Sequence, residues 1–210
     1  MTRHFNQQPA PAGRLRRGRA RLGVVCRVGL LIGAVSLSLL TGIFSAGAEE
    51  EMPADFQVKA AFLINFPKYV DWPASAFAET NSPITIAVYG DDNVATEVQN
   101  MIGSGRMVGG HPVILKRITK DEEINRDCHI LFIGASERQR IPSILEKIRG
   151  EKILTVSESD DFLAQDGIIN LTRQGRKIRL QVNLTAAGSA QLKISSRLLV
   201  AADVVKGKSN

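Results

Sequence analysis

Apolar runs separated by polar turns divide the chain from residue 55 onward into alternating strands and helices. Residues 84–89 (ITIAVY) form a continuous run rich in β-branched side chains, which predicts a strand buried on both faces. Further apolar runs predict strands at 112–118, 129–133, 152–156, 168–171 and 177–184. The last two runs flank Arg173-Gln174-Gly175-Arg176, a sequence typical of a hairpin turn.

Helices are predicted between these strands. Asp55 and Ser136 are predicted to cap helices over 56–66 and 137–149. Other helical patterns occur at 94–101, 160–164, 185–192 and 195–205. Strands that alternate with helices and end in a hairpin predict an α/β fold, in which a single domain has a mixed sheet of about five to six strands with helices on its faces.

The net positive charge of the chain comes entirely from its first 48 residues. These hold seven of the 27 basic residues and no acidic residue, so the remainder has a net charge of −1 although the whole chain has +6. A net charge so close to zero in residues 49–210 does not favour a nucleic-acid partner, because nucleic-acid binding needs a basic face.

The same 48 residues have the pattern of an export signal. An Arg-rich stretch runs to Arg27, residues 28–44 are apolar, and Ala46 and Ala48 stand where signal peptidase requires small side chains. We therefore predict a cleaved signal peptide at 1–48 and a protein located in the periplasm. A retained membrane anchor is the alternative, although 17 apolar residues are short for a spanning helix.

Cleavage would leave one domain with a single cysteine. The predicted parts are a flexible mature N-terminus at 49–54, the α/β domain at 55–205 and a C-terminal tail at 206–210, none of which would span the membrane. Cys128 is the one cysteine after residue 48, so an intramolecular disulfide is excluded. Because it directly precedes an apolar run, we predict a free and buried thiol.

No group of residues has the spacing of a catalytic or metal site. The Gly-rich loop at 103–110 precedes a strand, whereas a phosphate-binding loop opens a helix. Cys128 and His129 are strand neighbours that point to opposite faces, and neither has metal-ligand spacing with His111. Three pairs of neighbouring acidic residues occur, namely Asp91-Asp92, Glu122-Glu123 and Asp160-Asp161. Solvated side chains in turns explain these pairs more simply than the paired carboxylates of a hydrolase do. We predict that the protein is not an enzyme and has no catalytic residues, metal or cofactor.

Four aromatic residues fall within one short segment and are the candidate partner-binding residues. They are Phe62, Phe66, Tyr69 and Trp72, the last being the only tryptophan of the chain. One interpretation is a core helix followed by a packed turn. The other is an aromatic surface that contacts another protein or a small ligand.

Four ordered motifs resemble those of the YfiR family of exported bacterial proteins. The first is FQVKAAFLINFPKYVDWP at 56–73 and the second is CHILFI at 128–133. The third is GIINL at 167–171, and the fourth is KIRLQVNL at 177–184 followed by LKISSRLL at 192–199. The resemblance covers about residues 55–205, and its motifs are largely apolar, so they identify a fold better than a mechanism.

The resemblance implies a periplasmic α/β protein without a catalytic cofactor. The best-understood member of the family represses an inner-membrane diguanylate cyclase by holding its periplasmic domain, which lowers intracellular cyclic-di-GMP. That member also responds to redox state through paired cysteines, and here Cys128 has no partner after residue 48. The resemblance therefore implies a regulator that binds the periplasmic part of a membrane sensor or diguanylate cyclase.

Two other functions stay open on the residues alone. A periplasmic small-ligand-binding protein that feeds a membrane sensor would use a pocket between sheet and helices, with Arg179 or Arg197 as an anchor for an anion. An uncharacterised hydrolase would use some of the acidic pairs. The sequence also leaves a homodimer open as an assembly.

Overall fold

The computed structural model describes residues 54–205. Within this range it has five α-helices, namely α1 (Asp55–Asn65), α2 (Asp92–Ile102), α3 (Ile141–Lys147), α4 (Leu184–Ser189) and α5 (Ser196–Leu199). Its strands are β1 (Val70–Asp71), β2 (Ile84–Tyr89), β3 (Met107–Val108), β4 (His111–Ile118), β5 (Ile130–Ile133), β6 (Leu154–Ser157), β7 (Ile169–Gln174), β8 (Lys177–Asn183), β9 (Lys193–Ile194) and β10 (Ala202–Val205). The predicted signal peptide and the C-terminal tail lie outside the described residues.

Eight of the strands form one mixed sheet in the order β10-β8-β7-β6-β5-β2-β4-β3. The five strands from β7 to β4 in this order are parallel, whereas β8 is antiparallel to β7 and β3 to β4. β1 and β9 pair separately as a two-stranded ribbon. The predicted single α/β domain with a mixed sheet is confirmed, but the sheet has eight strands rather than five to six. The additional strands are β3, inside the Gly-rich loop, and β10, inside a predicted helix.

Helices cover both faces of the sheet, and the central strand contributes to two cores. All six residues of β2 are buried. Ile86 and Val88 pack in the same cluster as the buried residues of α1 and α2, whereas Ala87 and Tyr89 pack in the cluster that includes α3. Because successive strand residues point to opposite faces, the continuous apolar run at 84–89 follows directly from burial on both sides.

Both predicted helix caps are wrong. Asp55 is the first residue of α1, where its carboxylate pairs with Arg173, and the Gln57 side chain accepts a hydrogen bond from the Ala54 N–H at 3.1 Å. Ser136 does not cap α3, because its hydroxyl donates to the Gly90 carbonyl 2.8 Å away. Each polar side chain binds a distant part of the chain, which local sequence does not reveal.

Three predicted helices are shorter than their sequence pattern indicates. The helix predicted at 185–192 ends at Ser189, because Gln191 has a left-handed φ of 58°. The segment 137–149 divides into a 3-10 stretch, Ala135–Arg140, and α3, which has Pro142 as its second residue. Proline lacks an N–H and is favoured in a first helical turn, so α3 begins there. The segment 195–205 divides into α5 and β10, because the β-branched residues Val204 and Val205 pair with β8 instead of continuing the helix.

Candidate functional site

The four candidate aromatic residues lie in two different places. Phe62, Phe66 and Tyr69 line a groove formed by α1, β8 and α5. Trp72, only three residues further along the chain, does not line it and instead packs its ring against His129, just before β5. A 3-10 turn with Pro67 at its start follows α1 and redirects the chain between the two places.

The groove has a volume of about 530 Å³. Phe66 is only 1% exposed and forms its inner side, while Phe62 and Tyr69 are half-buried. Phe62 and Phe66 are one helical turn apart, and their rings stack with centroids 6.1 Å apart and planes at 19°. Leu180 of β8 and Leu198 of α5 add aliphatic contacts from the opposite side.

Backbone contacts hold α5 against the turn that follows α1. The Ser195 N–H donates to the Tyr69 carbonyl at 2.8 Å, and Val70 pairs with Ile194 in the β1–β9 ribbon. The Ser195 hydroxyl then caps α5 by accepting from the Arg197 N–H at 3.3 Å. These contacts place Arg197 beside Tyr69 in the groove.

The groove combines an apolar lining with the guanidinium group of Arg197. Asn65 is already engaged, because its Nδ2 donates to the Ala61 carbonyl at 2.7 Å and its Oδ1 accepts from Arg106. Arg197 is exposed and forms no salt bridge with any residue in the range 54–205. Of the two arginines considered from the sequence, Arg197 lines the groove and Arg179 does not. An occupant with an apolar group and an acidic group would match this lining.

Trp72 is half-buried, and its indole makes defined contacts. The indole Nε1 donates to the Lys152 carbonyl at 3.1 Å, and the ring meets the His129 ring edge-on with centroids 6.1 Å apart. Phe77 stacks between the rings of His111 and His129, and these three rings together with Trp72 are here called the stack. Sequence reasoning considered these histidines only as metal ligands or catalytic groups and missed their stacking, which joins residues far apart in the chain.

Cys128 is buried on the face of the sheet that α3 covers. It is 4% exposed, and its thiol lies 3.7 Å from the Asn125 carbonyl. Burial raises the pKa of Cys128 to about 12, so the thiol stays protonated at neutral pH. His129 belongs to the stack at the other side of the backbone, and the two side chains do not form a catalytic pair.

The carboxyl edge of the parallel strands, where α/β proteins commonly bind ligands, is filled by the chain itself. The Gly134 N–H donates to the Tyr89 carbonyl at 2.8 Å. A Cβ added at Gly134 would lie 2.4 Å from the Gly90 carbonyl oxygen, and one at Gly90 would lie 2.4 Å from the Glu137 side chain. The contacts of Gly90 and Gly134 therefore close the crevice between β2 and β5.

A polar cluster fixes the segment that closes this crevice. The Tyr89 hydroxyl donates to Asp121 at 2.5 Å, and Arg140 donates both to that hydroxyl and to Asp121. Burial and the hydrogen bond to Asp121 raise the pKa of Tyr89 to about 12. The tyrosine is thus held as a neutral donor, and its role is to anchor Arg140 over the end of β2.

Two further features of the described residues concern metal binding and membrane crossing. Nowhere in residues 54–205 do three His, Cys, Asp or Glu side chains lie close enough together to hold a metal ion. Over the same range, none of the helices is both long and apolar enough to cross a bilayer.

A family model described as YfiR/HmsC-like matches residues 56–203. The chain belongs to the YfiR/HmsC-like family. Membership extends over the sheet and the groove, and it confirms the resemblance of the four sequence motifs. The YfiR/HmsC-like proteins are periplasmic regulators of diguanylate cyclase systems, and the family is regulatory rather than catalytic.

Beyond the family model, the similarity of the chain to known proteins is low. No curated protein matches the chain. A conserved domain protein from Vibrio cholerae is similar in structure with a TM-score of 0.49 and 9% identity, over 74% of this chain. The ABC domain in complex with L-Trp from Streptococcus pneumonia has a TM-score of 0.46 and 10% identity, over 71% of this chain. The chain spans 60% of the length of each of these two proteins.

Proposed function

We propose that this protein binds the periplasmic part of an inner-membrane signalling enzyme, a diguanylate cyclase, and represses it. The groove formed by α1, β8 and α5 is the contact surface. Family membership supports the kind of target. The groove supports the place, because it brings Phe62 and Tyr69 to the surface beside Arg197, which forms no salt bridge within residues 54–205.

The chemistry of the groove suits a protein contact. Contact surfaces commonly have a central aromatic anchor and an arginine that pairs with a carboxylate of the partner. In this groove the buried Phe66 forms the floor. Phe62 and Tyr69 can pack against an apolar side chain of the partner, and Arg197 can pair with a carboxylate of the partner. The partner segment should therefore carry an apolar side chain next to Asp or Glu.

This function needs export to the periplasm, which the signal peptide predicted at residues 1–48 would provide. The proposal requires that the signal peptide is removed and that the domain is released into the periplasm, where it can reach the outer part of a membrane protein. Binding then holds the partner in its inactive state, and intracellular cyclic-di-GMP falls without any catalytic step by this protein.

A charge-reversal pair tests the contact surface. Arg197→Glu should weaken capture of the membrane partner from crosslinked envelopes and raise intracellular cyclic-di-GMP. Arg179→Glu is the matched control, because Arg179 is also an exposed arginine but lies on β8 outside the groove lining. Both side chains are exposed, so both variants should keep the wild-type melting temperature. Equal capture by the two variants would contradict a contact through the groove.

The groove volume supports a second candidate function, the binding of a small ligand that is passed to or sensed by a membrane protein. A volume of about 530 Å³ lies within the range of small-molecule sites. A thermal-shift screen of apolar carboxylic acids separates this from the first candidate, because a ligand at 100 times its Kd should add about 2.7 kcal/mol of stability. Stabilisation that Arg197→Glu abolishes would favour the ligand, and its absence for every compound would leave the protein contact.

A further inference from the structure

Residues 72–83, here called the strap, cross the amino ends of the parallel strands between β1 and β2. Half of the strap residues are exposed, namely Ala74, Ser75, Ala78, Glu79, Thr80 and Asn81, and none is fully buried. Within residues 54–205, two hydrogen bonds join the strap to the rest of the domain, one from Trp72 to the Lys152 carbonyl and one between His111 and the Ser82 carbonyl. A segment with so few attachments is a candidate for local opening.

Stacked rings supply the remaining attachment of the strap. The Phe77 ring lies between the rings of His111 and His129, with centroid distances of 4.3 and 4.7 Å and angles between planes of 21° and 25°. Trp72 meets the far side of His129 edge-on at 75°. Both aromatic side chains of the strap are therefore held by histidines of the sheet.

The hydrogen bonds of His129 require a neutral ring. The Thr85 N–H lies 3.2 Å from Nδ1 and can only donate, so Nδ1 carries no proton. The proton is on Nε2, which is buried and lies near the Ala76 backbone of the strap without a hydrogen bond of ordinary geometry. A second proton would have to go to Nδ1, where it would break the bond to Thr85 and place a charge in a site that is 8% exposed.

His111 differs, because its hydrogen bond is compatible with a charge. Its Nδ1 lies 2.7 Å from the Ser82 carbonyl, which can only accept, so this nitrogen carries the proton. A second proton on Nε2 leaves that bond intact and places a cation against the face of Phe77. A charged His111 then opposes a charge on His129 across the same phenyl ring.

Among the charged groups around the stack, His111 is the one whose charge lowers the pKa of His129. The neighbouring segments carry Asp71, Glu79, Asp127, Glu151 and Lys152. Burial lowers the pKa of His129, and the charge of His111 lowers it further, whereas the Ala76 backbone opposes both effects.

We propose that the strap is a proton-operated latch, in which protonation of His129 releases Phe77 and Trp72 from the sheet and His111 sets the pH of release. The closed strap needs Nδ1 of His129 as an acceptor for Thr85. An open strap lets the imidazole reach water, where its charged form is stabilised. The effector is the proton itself, and the inference does not depend on which partner the groove binds.

The single tryptophan of the chain lies in the latch, so its fluorescence reports the opening. The domain is titrated from about pH 8 to about pH 5, the range in which histidine changes charge. Below the unfolded-state value of 6.5, Trp72 emission should shift to the red and become more accessible to acrylamide. Exchange of the Thr85 amide should rise by up to roughly tenfold per pH unit for one proton taken up, after correction for intrinsic exchange.

Two variants make the test specific. His129→Asn keeps an acceptor near Thr85 but does not titrate, so its Trp72 emission should not respond to pH. His111→Asn keeps a donor for Ser82 but removes the opposing charge, so its transition should move to higher pH. Through the transition in the wild type, far-UV circular dichroism should stay unchanged, and the Leu131 amide in β5 should stay far better protected from exchange than the Thr85 amide.

Several results would overturn the latch. These are a wild-type emission that does not respond to pH, the same transition in His129→Asn, or loss of the whole fold together with the Trp72 change. A lower transition pH in His111→Asn would overturn the role of that residue. Should His129→Asn fail to fold, wild-type amide exchange still decides, since equal free energies of opening at Thr85 and Leu131 mean global unfolding and contradict the proposal.

Discussion

The groove and the stack use aromatic residues of the same short segment in opposite ways. In the groove, Phe62 and Tyr69 stay half-buried beside Arg197, which has no ion pair among the described residues 54–205. In the stack, the ring of Trp72 meets His129 and its indole N–H binds the Lys152 carbonyl. Whether an aromatic side chain contacts a partner or the domain thus depends on what distant segments place against it.

The two regions are also connected along the backbone. Tyr69 belongs to the groove, β1 follows directly, and Trp72 begins the strap. β1 pairs with β9, which precedes α5 and Arg197. A change in either region therefore has a short route to the other, and variants that separate them are informative.

The largest effect is expected at Phe66, where the groove meets the core. Phe66 is 1% exposed, so Phe66→Ala should lower the free energy of unfolding by about 3–5 kcal/mol. Phe62→Ala should cost clearly less and keep a cooperative melt, because Phe62 is half-buried. Urea denaturation followed by circular dichroism measures both. A larger loss for Phe62→Ala would contradict the placement of these two rings.

A smaller loss is expected for Trp72→Phe, which keeps a ring in the stack but removes the indole N–H. The Lys152 carbonyl loses its donor, and an unpaired buried polar group costs about 1–3 kcal/mol. Because the site is half-buried, the lower end of this range is expected. Unchanged stability combined with weaker partner capture would show that Trp72 is a contact residue, which stays a prediction from the sequence.

The stack should also make stability depend on pH, and the groove should not. Burial lowers the pKa of folded His129 from its ordinary value of 6.5, so the unfolded chain binds more protons below that value. Stability from this residue is complete above pH 6.5 and is lost as the pH falls through the folded-state pKa. Urea titrations at several pH values should show this loss in wild type and Arg197→Glu, but not in His129→Asn. A loss that persists in His129→Asn would assign it to other groups.

The smallest effect is expected for Cys128. Its thiol is buried and has a pKa raised to about 12, and the thiolate is the reactive form. Thiol reagents should therefore label it only after unfolding, and a reducing agent should leave the melting temperature and electrophoretic mobility unchanged. Rapid labelling of the folded protein would show that this region opens more readily than the buried cluster allows.

Much of the fold could be predicted from sequence because its strands are buried on both faces. The run at 84–89 coincides with β2, and the turn with Gly175 lies between β7 and β8 as the pattern indicates. β10 could not be predicted, since its four residues gain their partner only when β8 lies beside them. Pro142 is visible in the sequence, but the predicted helix 137–149 extends across it, whereas the observed α-helix begins at Ile141.

The candidate site could be predicted only where it depends on local spacing along the chain. Phe62 and Phe66 share a helical face, which local spacing gives. The choice of Arg197 over Arg179 depends on how α5 packs, and the sequence left it open. The stack was missed because Phe77, His111 and His129 are brought together only by the sheet.

Site-specific photocrosslinking in intact envelopes tests the contact surface most directly. A photoreactive residue at position 62 lies in the groove, and one at position 107 replaces a methionine that is 57% exposed at the far edge of the sheet. The account predicts a crosslinked product with an inner-membrane diguanylate cyclase from position 62 and none from position 107. A product from position 107 alone, or equal products from both positions, would contradict binding through the groove.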